Sequence, residues 1–361
     1  MAFSLTGLER GDVLRSVLFG LFVNVFTQGR VAESLHWTGE LLRLGESSGD
    51  VDASLIGHSQ GNSLFLGNLV GAREHYKQAL AIYDEDKHRY QADIFNHDMK
   101  TTAGAWLSHV TWMLGYPEEA ARISKEKDTH ARQRGHPFDY AWAMCLGSAV
   151  FDFRCEPDEL SERVEIAERL GREHSMPFVW ASLVPMQRGV ALIRQRKFAE
   201  GATHLKAGLA VWEGIGGRLS SPYYKCSLIE AMTELGDFDG AIALVDEIIE
   251  QIERPGWEER SHYAEILRLK GWILTLKDNS DGAEKCFHAS LEVAREQQAK
   301  SWELRTSTSL ARLWQSQGKR KETLELLKPV YDWFTEGFDT KDLKDAKALL
   351  NGLAEYRGQV Q

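Results

Sequence analysis

Residues Gly57–Gly61 read GHSQG, which fits the pattern G-x-S-x-G. In that pattern a serine is held on a sharp strand-to-helix turn as the nucleophile of a hydrolase. Ser59 would be that nucleophile, and an acid and a histidine on later strands would complete the chemistry. The residues before Gly57 read instead as a helix pair, and those after Gly61 continue a helical pattern. Ser59 then falls on a helix–helix contact, and the hydrolase is the remote reading. The twelve histidines include no HExxH or comparable ligand pair, so no metal site is expected. Cys145, Cys155, Cys226 and Cys286 are scattered without a CxxC pair, which points to reduced thiols and a cytoplasmic location. No catalytic centre or cofactor motif emerges, and a protein that is not an enzyme is expected.

The elements that would carry other chemistry are helices. Of the 361 residues, 43% are hydrophobic and 27% charged, as in a folded globular chain. The net charge of −10 argues against general nucleic-acid binding, which needs a basic face. The apolar run Val17–Phe26 follows Arg10 and Arg15, as in a signal peptide. Glu9 and Asp12 interrupt the basic region, however, and the run is too short to span a bilayer. A buried repeat helix is the expectation there, with no membrane contact.

One unit recurs: an apolar helix, a short polar turn, and a second helix opened by a small residue. The turns read QGRVAESL (from Gln28), LGNLVGAREHY (Leu66), LGYPEEAARI (Leu114), RCEPDELSER (Arg154), QRKFAEGATHL (Gln195), LGDFDGAIALV (Leu235), KDNSDGAEKCF (Lys277) and QGKRKETLELL (Gln317). Gly29, Gly67, Gly115, Gly236 and Gly318 can close a helix in the left-handed conformation. Pro117 and Pro157 suit the first turn of the next helix. Gly271, Gly189 and Ser108 stand twelve residues before Ala283, Gly201 and Ala120, and Ser290, Gly208 and Ala79 stand seven after Ala283, Gly201 and Ala72. Small residues at those intervals let paired helices approach closely. The spacing is similar to the tetratricopeptide arrangement, with a period of about 40 residues.

The predicted fold is all-α: a right-handed α-solenoid of about eight tetratricopeptide-like helix pairs in one domain. The expected repeats are roughly 14–50, 51–90, 99–135, 137–175, 178–216, 220–255, 258–298 and 300–337, with a capping helix over 340–357. In such a stack the first helix of each pair lines the concave face. Counting from the turns sets Glu265, Arg268, Trp272, His109, Trp112, Arg305, Thr308 and Arg312 on that face. Arginine forks and tryptophan rings there suit an acidic or C-terminal peptide segment or an anionic small ligand. Pairing of Glu265, Arg268 and Arg305 between adjacent helices is the alternative.

Four stretches resemble a known bacterial family: Gly61–Arg89, Trp112–Ile123, Ala264–Leu274 and Ala299–Leu350. They look like the C-terminal repeat region of fusion proteins joining a class III adenylate/guanylate cyclase, an ATPase module and helical repeats. Regulators of the maltose-activator kind carry related arrays. The resemblance covers roughly Val17 to Leu353. The cyclase aspartates and the GxxxxGK[ST] phosphate loop are absent from this sequence. The resemblance therefore implies a scaffold or sensor in a signalling system, binding a protein or peptide partner such as a separate ATPase or nucleotide cyclase chain. It also implies that the aspartate-containing stretch near His97 can shape a small-molecule pocket with His88 and Asp98. A loop with capping residues is the plainer reading of the same stretch. A homodimer through the solenoid ends is open too.

Overall fold

The computed structural model describes residues 10–61 and 64–355. Antiparallel helix pairs follow one another along the chain: α1 (Arg10–Thr27) with α2 (Val31–Ser48), and α3 (Val51–Ser59) with α4 (Leu69–Ile82). Two short helices, α5 (Glu85–His88) and α6 (Gln91–Phe95), form the insert. Then come α7 (Met99–Met113) with α8 (Pro117–Arg134), and α9 (Pro137–Phe153) with α10 (Pro157–Glu173). A π-helical stretch, Val179–Leu183, leads into α11 (Val184–Arg194), which pairs with α12 (Phe198–Gly214). Next are α13 (Ser221–Glu234) with α14 (Phe238–Glu253), and α15 (Tyr263–Leu276) with α16 (Ser280–Glu296). The last pair is α17 (Lys300–Ser316) with α18 (Arg320–Asp332), and α19 (Lys341–Glu355) closes the end. Residues 356–357 of the expected cap, and Glu9 before α1, lie outside the described residues. No strand occurs among the described residues, and the fold is a right-handed α-solenoid.

The turns follow from local chemistry. Gly29, Gly67, Gly115, Gly236 and Gly318 all have positive φ. Cys155, Arg196, Asp278 and Gln298 adopt the same left-handed conformation without being glycine. Packing of the two flanking helices imposes the turn there, against a cost of roughly 1–2 kcal/mol per residue. Within pairs, small residues set the approach. A Cβ at Gly189 would lie 2.7 Å from the Gly201 carbonyl oxygen and 2.8 Å from Leu205 N, both backbone atoms. Ser290 is small and also satisfied: its Oγ donates to the Ala264 carbonyl at 2.6 Å.

The solenoid is wound so tightly that its second turn rests on its first. The Thr27 carbonyl accepts from Arg218 N and Leu219 N at 2.8 and 3.2 Å. The Phe65 carbonyl accepts from Ser261 N at 3.2 Å. The Trp112 carbonyl accepts from Ser301 Oγ at 2.6 Å, 189 residues away. With repeats about 40 residues apart, one superhelical turn takes between four and five pairs. Further along, Glu336 Oε1 accepts from Glu118 N and Glu119 N at 2.9 and 3.0 Å, and Gly337 N donates to Glu118 Oε1 at 2.8 Å. At Gly115, with φ of +99°, a Cβ would lie 2.5 Å from the Trp333 ring of the next turn. The apolar run Val17–Phe26 is part of α1, where Leu18, Phe19, Phe22, Val25 and Phe26 are buried.

Gly189→Ala is expected to lower stability by about 2 kcal/mol through backbone overpacking. Gly214→Ala, where a Cβ meets nothing within 4 Å, should raise it by about 0.5–1 kcal/mol. Urea unfolding of both variants checks the pair; equal effects would contradict the close-approach account.

Candidate functional site

Several of the residues expected on the concave face meet across the superhelical turns, where they pack together. Trp112, Phe153 and Trp302 pack together, with ring centroids 4.5 Å (Trp112–Phe153), 4.8 Å (Trp112–Trp302) and 5.6 Å (Phe153–Trp302) apart. His262 and Tyr223 complete this aromatic plug, 5.9 and 5.7 Å from Phe153. The Arg305 guanidinium lies between Trp112 and Trp302, 4.9 and 5.1 Å from their centroids. It pairs with Asp342 at 2.8 Å and Glu265 at 3.5 Å, and donates to the Phe153 carbonyl at 2.7 Å. Glu265 also accepts from Arg268 at 2.7 and 2.8 Å. Burial alone would raise the Glu265 pKa, but Arg268 and Arg305 outweigh it and hold the carboxyl below its usual range.

The other residues of that set are also engaged. His109 is buried with Nε2 2.7 Å from the Leu146 carbonyl, and burial lowers its pKa to about 4, so the ring is neutral. Buried Thr308 donates to the Leu304 carbonyl at 2.8 Å. Trp272 is half-buried against the α13–α15 core. Arg312 is exposed and pairs with Asp345 at 3.2 Å. An open groove lined by these side chains is therefore not formed. Their side chains pair and pack within the chain, some along one helix and some, at Trp112 and Arg305, across superhelical turns.

Ser59 sits near the end of α3, fully buried, with Oγ donating to the Ile56 carbonyl at 3.0 Å and lying 3.1 Å from Met99 Sδ. It is a helix-packing residue, and the strand-to-helix elbow that a hydrolase needs is not formed around it.

The stretch around His97 is a folded insert and not a solvated loop. Asn96 takes the left-handed conformation after α6, and Asp98 caps α7 by accepting from Thr101 N at 3.0 Å. Asp98 also accepts from Tyr83 OH at 2.6 Å, lies 3.0 Å from His130 Nε2, and pairs with Arg134. Burial would raise its pKa; the hydrogen bonds from His130 and Tyr83 and the charge of Arg134 outweigh this and hold it low. His88 is buried, its Nδ1 accepting from Asp84 N at 2.8 Å. Asp98 and His88 thus brace the insert. Of the three, His97 alone reaches a cavity.

That cavity has a volume of about 1090 Å³. Phe19, Phe22 and Phe26 of α1 roof it; Trp106 and Trp142 rise from α7 and α9; Trp212 of α12 and the loop 215–220 close the far side. Trp142 Nε1 and Thr102 Oγ1, on two of the lining residues, are buried out of reach of solvent and have no hydrogen-bond partner among the described residues. Burial lowers the His97 pKa to about 4, so this ring too is neutral. No group of three or more His, Cys, Asp or Glu that could hold a metal occurs among the described residues. No helix among them is long and apolar enough to cross a membrane.

No protein-family model matches the chain, and no curated protein matches it. Among solved structures the chain is similar to the apo form of RapI, at 12% identity over 79% of this chain and 93% of that one, with a TM-score of 0.48. It is also similar to yeast Tom70, at 13% identity over 99% of this chain and 67% of that one, with a TM-score of 0.41.

The reading from sequence missed the cavity walls. The aromatic runs FGLFVNVF, PFDYAW and PFVW carried the signal, since they put rings on more than one helix face. The rim loop is held from behind by Glu259, whose two oxygens accept from Ser220 N at 3.1 and 3.2 Å. Burial raises the Glu259 pKa to about 8, the Ser220 N–H only partly opposing it. The folded chain therefore keeps a proton that the unfolded chain releases, and stability falls as pH rises from about 4.5 through about 8. Glu259→Gln should flatten that slope in thermal melts and raise the melting temperature above wild type near pH 9; an unchanged slope would contradict the assignment. Arg305→Ala should cost about 3 kcal/mol or more in urea unfolding, because Glu265 and Asp342 lose a shared partner.

Proposed function

We propose that this chain is a non-enzymatic regulatory module that binds an apolar organic molecule in the cavity beneath α1 and passes its occupancy to a protein partner. The carrying observation is the aromatic-walled cavity of about 1090 Å³, whose wall also carries the polar side chains of Asn24, Gln28, His97 and Arg218. Large apolar concavities with a few convergent polar groups are the usual form of a small-molecule site. The helix α1 links the two roles. One face roofs the cavity, while Val13, Leu14, Val17 and Leu21 stand exposed on the other as an apolar stripe. That stripe is suited to a protein contact.

The resemblance to repeat regions of cyclase–ATPase fusions favours a bacterial signalling setting, with an ATPase or nucleotide cyclase chain as the partner. The four cysteines are free, which suits a reducing cytoplasm.

The neutral dye Nile red tests the cavity. One dye per chain should bind with a blue-shifted emission, and Leu146→Trp, which fills the cavity from α9, should abolish it while leaving the helical signal intact. Binding unchanged by Leu146→Trp would place the apolar site elsewhere and overturn the proposal.

A further inference from the structure

The chain carries a net charge of −10, yet among the described residues no aspartate or glutamate lines the cavity. Among the described residues the two charged ones in the lining are Arg30 and Arg218, where the end of α1 meets the rim loop. Arg30 pairs with Glu33. Arg218 has no carboxylate within ion-pair distance among the described residues, and its Nη1 donates to the Glu213 and Gly217 carbonyls at 3.0 and 2.7 Å. Those two bonds fix the guanidinium plane, while Nε and Nη2 make no hydrogen bond among the described residues.

The site lies at the C-terminal ends of α1 and α12, whose negative dipole ends an anion there must overcome through Arg218. At the end of α1, Phe26 O accepts from Gly29 N, Val25 O from Arg30 N, and Thr27 O from Arg218 N and Leu219 N. The negative end of the helix is thus capped by main-chain donors. The amide side chains of Asn24 and Gln28 add polar groups at the same end of the cavity. A guanidinium held in plane by two carbonyls, with a free edge, matches the two oxygens of a carboxylate.

We infer that the ligand is an amphipathic anion: an apolar body among the aromatic rings, with an oxyanion head on the free edge of Arg218. The inference rests on the cavity being the ligand site. It adds polarity and direction, since the head lies at the α1–rim junction and the tail runs toward Trp106 and Trp142. Arg218 is also the residue whose backbone N–H closes the first superhelical turn onto Thr27. A bound head would therefore bear on the clasp itself.

Competition against Nile red, with dodecanoate and dodecanol as the matched probes, tests this. Wild type should bind dodecanoate about tenfold more tightly than dodecanol, the factor that one charge-assisted hydrogen-bonded pair supplies. Arg218→Gln should erase that preference and leave dodecanol affinity unchanged; Arg218→Lys should restore part of it. Equal affinities in wild type, or a preference that survives Arg218→Gln, would overturn the anionic head while leaving the cavity standing. Failure of Nile red itself to bind would remove the cavity reading and this inference together.

Discussion

The contact between successive superhelical turns is the constraint from which the rest follows. A helical-repeat chain is ordinarily held by neighbour-to-neighbour packing alone. Here the carbonyls of Thr27, Phe65 and Trp112 each accept from a residue roughly 190 positions on. These bonds turn an open spiral into a closed body. The inner helices face each other across the axis, and their side chains must either pack together or enclose space.

The chain does both. Between α7, α9, α13, α15 and α17 the axis is packed by Trp112, Phe153, Tyr223, His262 and Trp302. Burying Arg305 within that plug is tolerable only because Asp342, Glu265, the Phe153 carbonyl and two indole faces satisfy it. Under α1, by contrast, a space lined by Phe19, Trp142 and Trp212 persists.

Much of the fold was legible in local sequence. Helix periodicity, the turn glycines and the small residues at Gly189, Gly201 and Ala283 depend on neighbours within about 40 residues. The left-handed turns at Arg196 and Gln298 were less so, since packing and not residue type sets them. The repeat register also singled out Trp112 and Arg305, which meet across the superhelical turns. It could not show that the axis is filled, because pitch is the sum of small rotations over several repeats. His97 was picked out for the aspartate beside it. It meets the cavity, while Asp98 turns away to cap α7.

The most direct test of the account is amide hydrogen exchange at Arg218, Leu219 and Ser261. Their N–H groups lie in loops and donate across superhelical turns to Thr27 and Phe65. A closed superhelix predicts that they exchange as slowly as the helices flanking them. Exchange at the rate of free loop amides would show that the turns do not touch, and with that the cavity beneath α1 and the filled axis would both be contradicted.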